Sequence, residues 1–250
     1  MRISNFKTQT TFGSKNVPIE SYKINTRNGE LTVSELKDIN TLSDKEQQNL
    51  SEFFMDNFIE GSENPYIKNL SKKTQKCTYN GSVGCITEHL KNLFAKDDGN
   101  NTVLLAKDTN GKVQAGIVTH SFVDEIPTLN DPKTFYLDYI VVNKEYRKNG
   151  IASNLINKTL ETAKGFNDAL LAGYNHAVPL YEKLGFEVQN FCLKAETYGE
   201  QVRQSVISEF QNNIHDIPKY TQLMIKPLKN SGSRWWDRMF DTLAKFRFNF

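Results

Sequence analysis

An α/β fold with a mixed sheet is predicted by three features of the sequence. Short β-rich runs alternate with amphipathic helical segments, an apolar hairpin sits near the middle, and a strand, a basic loop and a helix at 135–160 lead to an apolar run at 169–172. Right-handed crossovers between such strands pack helices onto both faces of the sheet. The 16 Phe and 10 Tyr among 250 residues are ample for one substantial core. A formal charge of +2 gives no sign of a nucleic-acid binder, and no apolar run approaches the roughly 18–20 residues that cross a bilayer. The first twenty residues lack the apolar stretch of a secretory signal, and Cys77, Cys85 and Cys192 form no CxxC pair. A reducing cytoplasm is the expected compartment.

The bland total charge is a cancellation. Residues 1–28 carry +4, residues 229–250 carry +3, and the 200 residues between carry −5. Residues 1–21 are polar and aperiodic, which predicts a flexible tail ahead of a domain over 22–228. Leu31, Val33 and Leu36 suggest the first strand. Ser43-Asp-Lys-Glu46 is a capping box leading into Leu50, Phe53, Phe54 and Phe58 at helical spacing. The polar stretch 61–82 reads as a loop, and Ile86, Leu90, Leu93 and Phe94 mark a second helix.

The hairpin follows. Thr102–Ala106 and Val113–Val118 are strands joined through Asp108-Thr-Asn-Gly111, where Asn-Gly is expected to supply the positive φ angles of a tight turn. Phe135–Val142 is the next strand, and Ile151, Leu155, Ile156, Thr159 and Leu160 define the helix after it. Residues 169–172 form a strand, 177–184 a short helix, 186–188 another strand, and 222–225 the last. Val202, Val206, Ile207 and Phe210 place a helix within an insertion at 190–219.

The chemistry concentrates where strand 135–142 meets its helix. A helix N-terminus leaves backbone N–H groups unpaired and adds partial positive charge, so Val142-Asn-Lys-Glu-Tyr-Arg147-Lys-Asn-Gly150-Ile-Ala152 is suited to a phosphate. Gly150 lets the backbone come close, Ala152 keeps the first turn slim, and Arg147 and Lys148 add charge at the rim. An ordinary strand-to-helix turn is the structural alternative. Some thirty residues on, Ala177-Val-Pro-Leu180-Tyr181-Glu-Lys-Leu-Gly185-Phe186 places a tyrosine on a short helix that stops at a glycine.

Arg147-x-x-Gly150-x-Ala152 and Ala177-x-x-Leu180-Tyr181-Glu-Lys-x-Gly185-Phe186, in this order, resemble two motifs of the GNAT N-acetyltransferase superfamily. The resemblance spans about 102–190. It implies a mostly antiparallel, twisted mixed sheet with helices on both faces, in which parallel strands 135–142 and 169–173 splay apart around the pantetheine arm. It further implies a cytoplasmic enzyme that moves an acetyl group from acetyl-coenzyme A, as co-substrate, to an amine of a small molecule or protein. Ile140, Val141 and Val142 would line the arm; Arg147, Lys148, Asn149, Gly150, Ile151 and Ala152 would hold the pyrophosphate. Tyr181 is then the donor to the departing thiolate, with packing against Leu184 and Phe186 as its structural alternative.

The base is read from strand alternation, which puts Tyr136, Asp138, Ile140 and Val142 on one face and makes Asp138 the candidate, as base or as a ligand of the substrate ammonium. A structural hydrogen-bond acceptor is its alternative role, and His120 and Glu125 are weaker candidates. Two departures from the family pattern stand out. Tyr174 replaces an asparagine, leaving Asn175 displaced by one as the coenzyme contact, and Lys148-Asn149 replaces Gly-Lys in the loop. No His, Cys or acid stands at ligand spacing from His176, so no metal is expected.

Residues 233–247 form an amphipathic helix with Trp236, Met239, Phe240, Leu243 and Phe246 near one face. It suits docking onto the protein's own body, with a partner or a membrane surface as alternatives. The rival to the enzyme is a non-catalytic acyl-coenzyme A binding module whose tails mediate assembly or membrane-surface contact.

Overall fold

The computed structural model describes residues 19–61, 72–95, 101–121, 134–163, 165–188 and 221–228. The insertion helix, the amphipathic helix at 233–247, Glu125 and nearly all of the N-terminal tail lie outside them.

The sheet begins one strand earlier than expected. Strand β1 (Tyr22–Thr26) pairs antiparallel with β2 (Gly29–Glu35) at the sheet edge. Its sequence YKINT buries only Ile24 and so lacks the alternation that marks a half-buried strand. Helix α1 (Asp44–Gly61) starts at the predicted capping box. The Ser43 amide and hydroxyl donate to Glu46 Oε2 at 2.8 and 2.6 Å, and the Glu46 amide donates to Ser43 Oγ at 3.4 Å. Helix α2 (Lys72–Ala95) takes in residues 72–82, which were expected to be loop. Its first turns are polar and Asn80-Gly81 has low helix propensity, so the burial of Val83, Ile86, Leu90 and Leu93 carries the helix where propensity does not.

Strands β3 (Thr102–Lys107) and β4 (Val113–Ser121) form the predicted hairpin. Its turn differs from the expected one in that Gly111 takes a positive φ of 79° and Asn110 does not. Asp108 closes the loop, accepting from the amides of Asn110 and Lys112 at 2.9 and 3.0 Å and from Gln114 Nε2 at 2.7 Å. The Gln114 bond is the main reason the Asp108 carboxyl sits below its usual pKa.

Strand β5 (Thr134–Val142), helix α3 (Ile151–Thr162), strand β6 (Asp168–Tyr174), helix α4 (Val178–Lys183) and strands β7 (Glu187–Val188) and β8 (Thr221–Pro227) complete the described fold. The eight strands lie in the order β1-β2-β3-β4-β5-β6-β8-β7, antiparallel except for β5 beside β6. On one face Leu155 and Ile156 of α3 and Tyr181 of α4 pack with Ile117, Phe135 and Leu137. On the other, Phe54 of α1 and Leu90 of α2 pack with Val118 and Val141. The predicted α/β architecture, mostly antiparallel with helices on both faces, is the observed one.

Two irregularities of β5 position everything that follows. Opposite β4 the register runs Val118 to Tyr139 and then Thr119 to Leu137, so Asp138 is the extra residue of a β-bulge. Alternation therefore breaks at Asp138. Phe135, Leu137, Ile140 and Val142 face α3, whereas Tyr139 and Val141 face α1 and α2. Asp138 reaches His89 of α2, so the expectation that it shares a face with Ile140 and Val142 is corrected. The second irregularity is the parallel pairing of β5 with β6, which stops at Leu137 opposite Leu171 although both strands continue.

Candidate active site

Past Leu137, β5 remains paired with β4 through Val142, and past Leu171, β6 remains paired with β8 through Tyr174. The two strands have parted, and the N–H and C=O groups of β5 that point away from β4 face a gap in the sheet. Ile140, Val141 and Val142 form its β5 wall. At its far end Arg147 turns back, its Nε donating to the Val142 carbonyl at 3.0 Å. This arginine was expected only as rim charge; the fold also uses it to tie the loop to the strand.

A single 3-10 turn at Lys144–Tyr146, capped by Asn143, leads from β5 to α3. Lys148 takes a φ of 63° and Gly150 one of 73°. Lys148, where the resemblance implies a glycine, thus takes the left-handed backbone that favours glycine. Asn149 holds the bend, its side-chain amide donating to the carbonyls of Tyr146 and Arg147 at 3.0 and 3.3 Å while its Oδ1 accepts from the Arg27 amide at 3.3 Å. Asn28 adds a bond to the Glu145 carbonyl at 2.7 Å, so the β1–β2 turn braces the loop. The first bond of α3 runs from the Asn154 amide to the Gly150 carbonyl at 3.0 Å. The amides of Ile151, Ala152 and Ser153 consequently have no acceptor within the helix and point out of its N-terminus. A Cβ at Gly150 would meet no atom within 4 Å, so the space above these amides is open.

Tyr181 of α4 lies on the β6 side of the gap. Its ring sits on Gly173, two residues past the last β5–β6 pair, so closely that a Cβ there would stand 2.7 Å from Tyr181 Cε2. The ring also meets Phe186 edge-on at 6.1 Å, so it fills the packing role weighed for it. Only 6% of Tyr181 is exposed, and burial pushes its hydroxyl up to about 12. At neutral pH it is a proton-bearing hydrogen-bond donor.

Asp138 stands on the β5 side, the first residue past the last parallel pair. Its Oδ2 is 2.5 Å from His89 Nε2 and 3.9 Å from His120 Nε2. His89 comes from α2 and His120 from β4, so three elements meet at the bulge. The ring of His89 lies edge-on to Tyr139 at 5.7 Å and that of His120 to Tyr136 at 5.3 Å. The carboxylate and His120 are largely covered, while the His89 side chain is 36% exposed and gives the cluster its opening.

Residues 69–186 match the Acetyltransferase (GNAT) family. This segment is a GNAT-family acetyltransferase domain. Among solved structures, the fold is similar to that of histone acetyltransferase HPA2 and related acetyltransferase from Corynebacterium glutamicum, with 13% identity, a TM-score of 0.51 and coverage of 81% of this chain and 99% of that one. A protein from Pyrococcus horikoshii is similar with 20% identity, a TM-score of 0.50 and coverage of 80% and 99%. The PaiA N-acetyltransferase of Thermoplasma acidophilum, solved with coenzyme A, has 14% identity, a TM-score of 0.49 and coverage of 78% and 98%. No curated protein sequence matches the chain.

By this family match residues 69–186 are those of an acyltransferase. The fold gathers Ile140, Val141, Val142, Arg147, Lys148, Asn149, Gly150, Ile151 and Ala152 along one wall and end of the gap, with Asp138 and Tyr181 where it opens. Asn175 lies beyond β6 in a single 3-10 turn, and the rings of its chain neighbours Tyr174 and His176 stack on each other. His89 is the member that sequence reasoning missed. Its signal was present: it stands three residues after Ile86 and four before Leu93, at the edge of the apolar stripe of its helix. Among the described residues no helix is long and apolar enough to cross a membrane.

Proposed function

We propose that this GNAT domain moves an acetyl group from acetyl-coenzyme A to a primary amine, of a small molecule or a protein, by direct attack with both substrates bound. The observation that carries the proposal is the parting of β5 and β6 beyond Leu137 and Leu171. The gap begins between a carboxylate–histidine cluster and a buried phenol and ends at a helix N-terminus. The residues fit the coenzyme: the outward amides of Ile151, Ala152 and Ser153, with open space over Gly150, suit a diphosphate, and the edge of β5 that has left β6 suits an amide-bearing arm.

The coenzyme supplies an activated acyl carbon and a thiolate leaving group. The chain's residues handle the protons. An alkylamine with a pKa near about 10.4 must shed one before its lone pair can form the C–N bond. Asp138, hydrogen-bonded to His89, is the acceptor, directly or through water. As the C–S bond breaks, Tyr181 steadies the sulfur. Its hydroxyl at about 12 lies above a thiol near about 8.5, so complete transfer to the thiolate is uphill by roughly 5 kcal/mol. Tyr181 therefore acts as a hydrogen-bond donor, and the thiolate takes its final proton from solvent or from the proton released at the amine.

The test is release of free thiol from acetyl-coenzyme A over panels of amines and peptides, paired with melting curves at saturating acetyl-coenzyme A. Ligand stabilisation with amine-dependent thiol release is expected. Stabilisation without turnover on any acceptor points to a binding module, and neither effect overturns the proposal.

A further inference from the structure

We propose that His89, His120 and Asp138 form a binding site for one divalent transition-metal ion of the zinc class. One ring nitrogen of each histidine and a carboxylate oxygen of Asp138 lie within 4.8 Å of one another. A hydrogen-bonded His–Asp pair needs only one imidazole. Here a second imidazole nitrogen lies 3.9 Å from the same oxygen, so three nitrogen and oxygen donors cluster together. Two imidazoles and a carboxylate are a donor set that zinc accepts in catalytic sites, with a further position left for water or a substrate.

The adjustment is small. Tetrahedral ligands at zinc distances stand roughly 3.3 Å apart. The His89–Asp138 separation of 2.5 Å must widen and the His120–Asp138 separation of 3.9 Å must narrow, each by less than about 1 Å. The donors come from different kinds of support. His120 and Asp138 stand on paired strands, which hold them in fixed relation, and the part-exposed His89 stands on a helix and can swing to complete the set. With Phe135 and Leu137 on the α3 side, alternation sets Asp138 on the opposite side, where α2 brings His89. The expectation of no metal rested on the spacing around His176, whereas these donors are separated by 31 and 18 positions and meet only through the fold.

The experiment is titration of the full chain with Zn²⁺ by calorimetry and with Co²⁺ by visible absorption, which reports the coordination number. One ion per chain is expected, with Co²⁺ bands of four- or five-coordinate intensity. His89→Ala and His120→Ala should each weaken binding at least tenfold while keeping the wild-type far-ultraviolet spectrum, and His176→Ala should bind as wild type does. If Asp138→Asn perturbs the sheet, the two histidine variants carry the test alone. Absence of binding at micromolar Zn²⁺ overturns the proposal, and so does binding that survives both histidine variants, for example through the exposed Cys85. Although the cluster is the one assigned above to proton removal, metal binding is read without turnover. Failure of either reading leaves the other standing.

Discussion

Replacing Gly173 with alanine tests whether the placement of Tyr181 is a working part of the site. The added Cβ would stand 2.7 and 2.9 Å from two carbons of the Tyr181 ring and 3.1 Å from Leu171 Cδ1. Comfortable carbon contacts begin near about 3.5 Å, so the ring must retreat by roughly 0.8 Å. Retreat is opposed by Phe186 on its other side. Overpacking of this kind costs about 1–3 kcal/mol, offset in part by about 0.5 kcal/mol because alanine is the better strand residue. A net loss of about 1–2 kcal/mol is expected in urea denaturation. A sub-ångström misplacement of a group that contacts the reacting atoms should lower kcat by about 10- to 100-fold, with the KM for acetyl-coenzyme A changed far less. Turnover would be assayed well below the variant's melting temperature, with Tyr181→Phe alongside. A Gly173→Ala enzyme with wild-type kcat refutes a reacting role for the Tyr181 hydroxyl, whatever happens to stability.

Tyr181→Phe leaves the packing in place and should lower kcat by about 10-fold or more, the scale of a lost hydrogen bond to charge, without raising KM, as steady-state thiol release would show. Gly150→Glu forces a side chain onto a φ of 73° and sets a carboxylate over the outward amides; the stabilisation by ligand at 100 Kd, about 2.7 kcal/mol, should vanish from its melting curve. Asp138→Asn should reduce kcat by about 10²-fold or more while leaving the melting shift with acetyl-coenzyme A intact, and a kcat within twofold of wild type would remove Asp138 as acceptor. Alkaline stability follows from the buried phenol: below about pH 10 both folded and unfolded Tyr181 are protonated, and between about 10 and 12 only the unfolded chain ionises, so stability falls as pH rises by about 1.4 kcal/mol per unit. Burial raises Tyr139 as well, in the same direction. Urea midpoints from pH 9 to 11.5 should decline less steeply in Tyr181→Phe than in wild type, and parallel slopes would contradict the burial argument.

What could be read from the sequence, and what could not, divides along the range of the interactions. The capping box at Ser43 and Glu46, the turn glycine at 111 and the 142–152 loop are set by residues a few positions apart, and each stands where the pattern put it. The β5–α3 loop is legible for a further reason. The role proposed for it rests on backbone amides, and only Gly150, small Ala152 and the helix start are needed to expose them. Strand β1 and the first turns of α2 were missed because their residues are polar; β1 is held by its pairing with β2, and α2 packs on α1 and the sheet through its later residues Val83, Ile86, Leu90 and Leu93.

The error at Asp138 is the more instructive one. Alternation is a property of regular strands, and the sequence TFYLDYIVV is as regular as any; the bulge exists only as a mismatch of count against β4. With that one extra residue, Tyr139 and Val141 fall on the α1 and α2 side together with Asp138 and its histidines, and Ile140 and Val142 join Phe135 and Leu137 over α3. The bulge and the parting of β5 from β6 fall at adjacent residues, Asp138 and Leu137. A bulge increases local twist and bends its strand, so the extra residue beside the carboxylate also leads β5 away from β6. On this argument the proposed acceptor and the gap proposed for the coenzyme meet at one irregularity of the strand. Deleting the bulge residue, with its neighbours kept, should therefore abolish both acetyl-coenzyme A stabilisation and turnover, whereas Asp138→Asn spares the first and not the second.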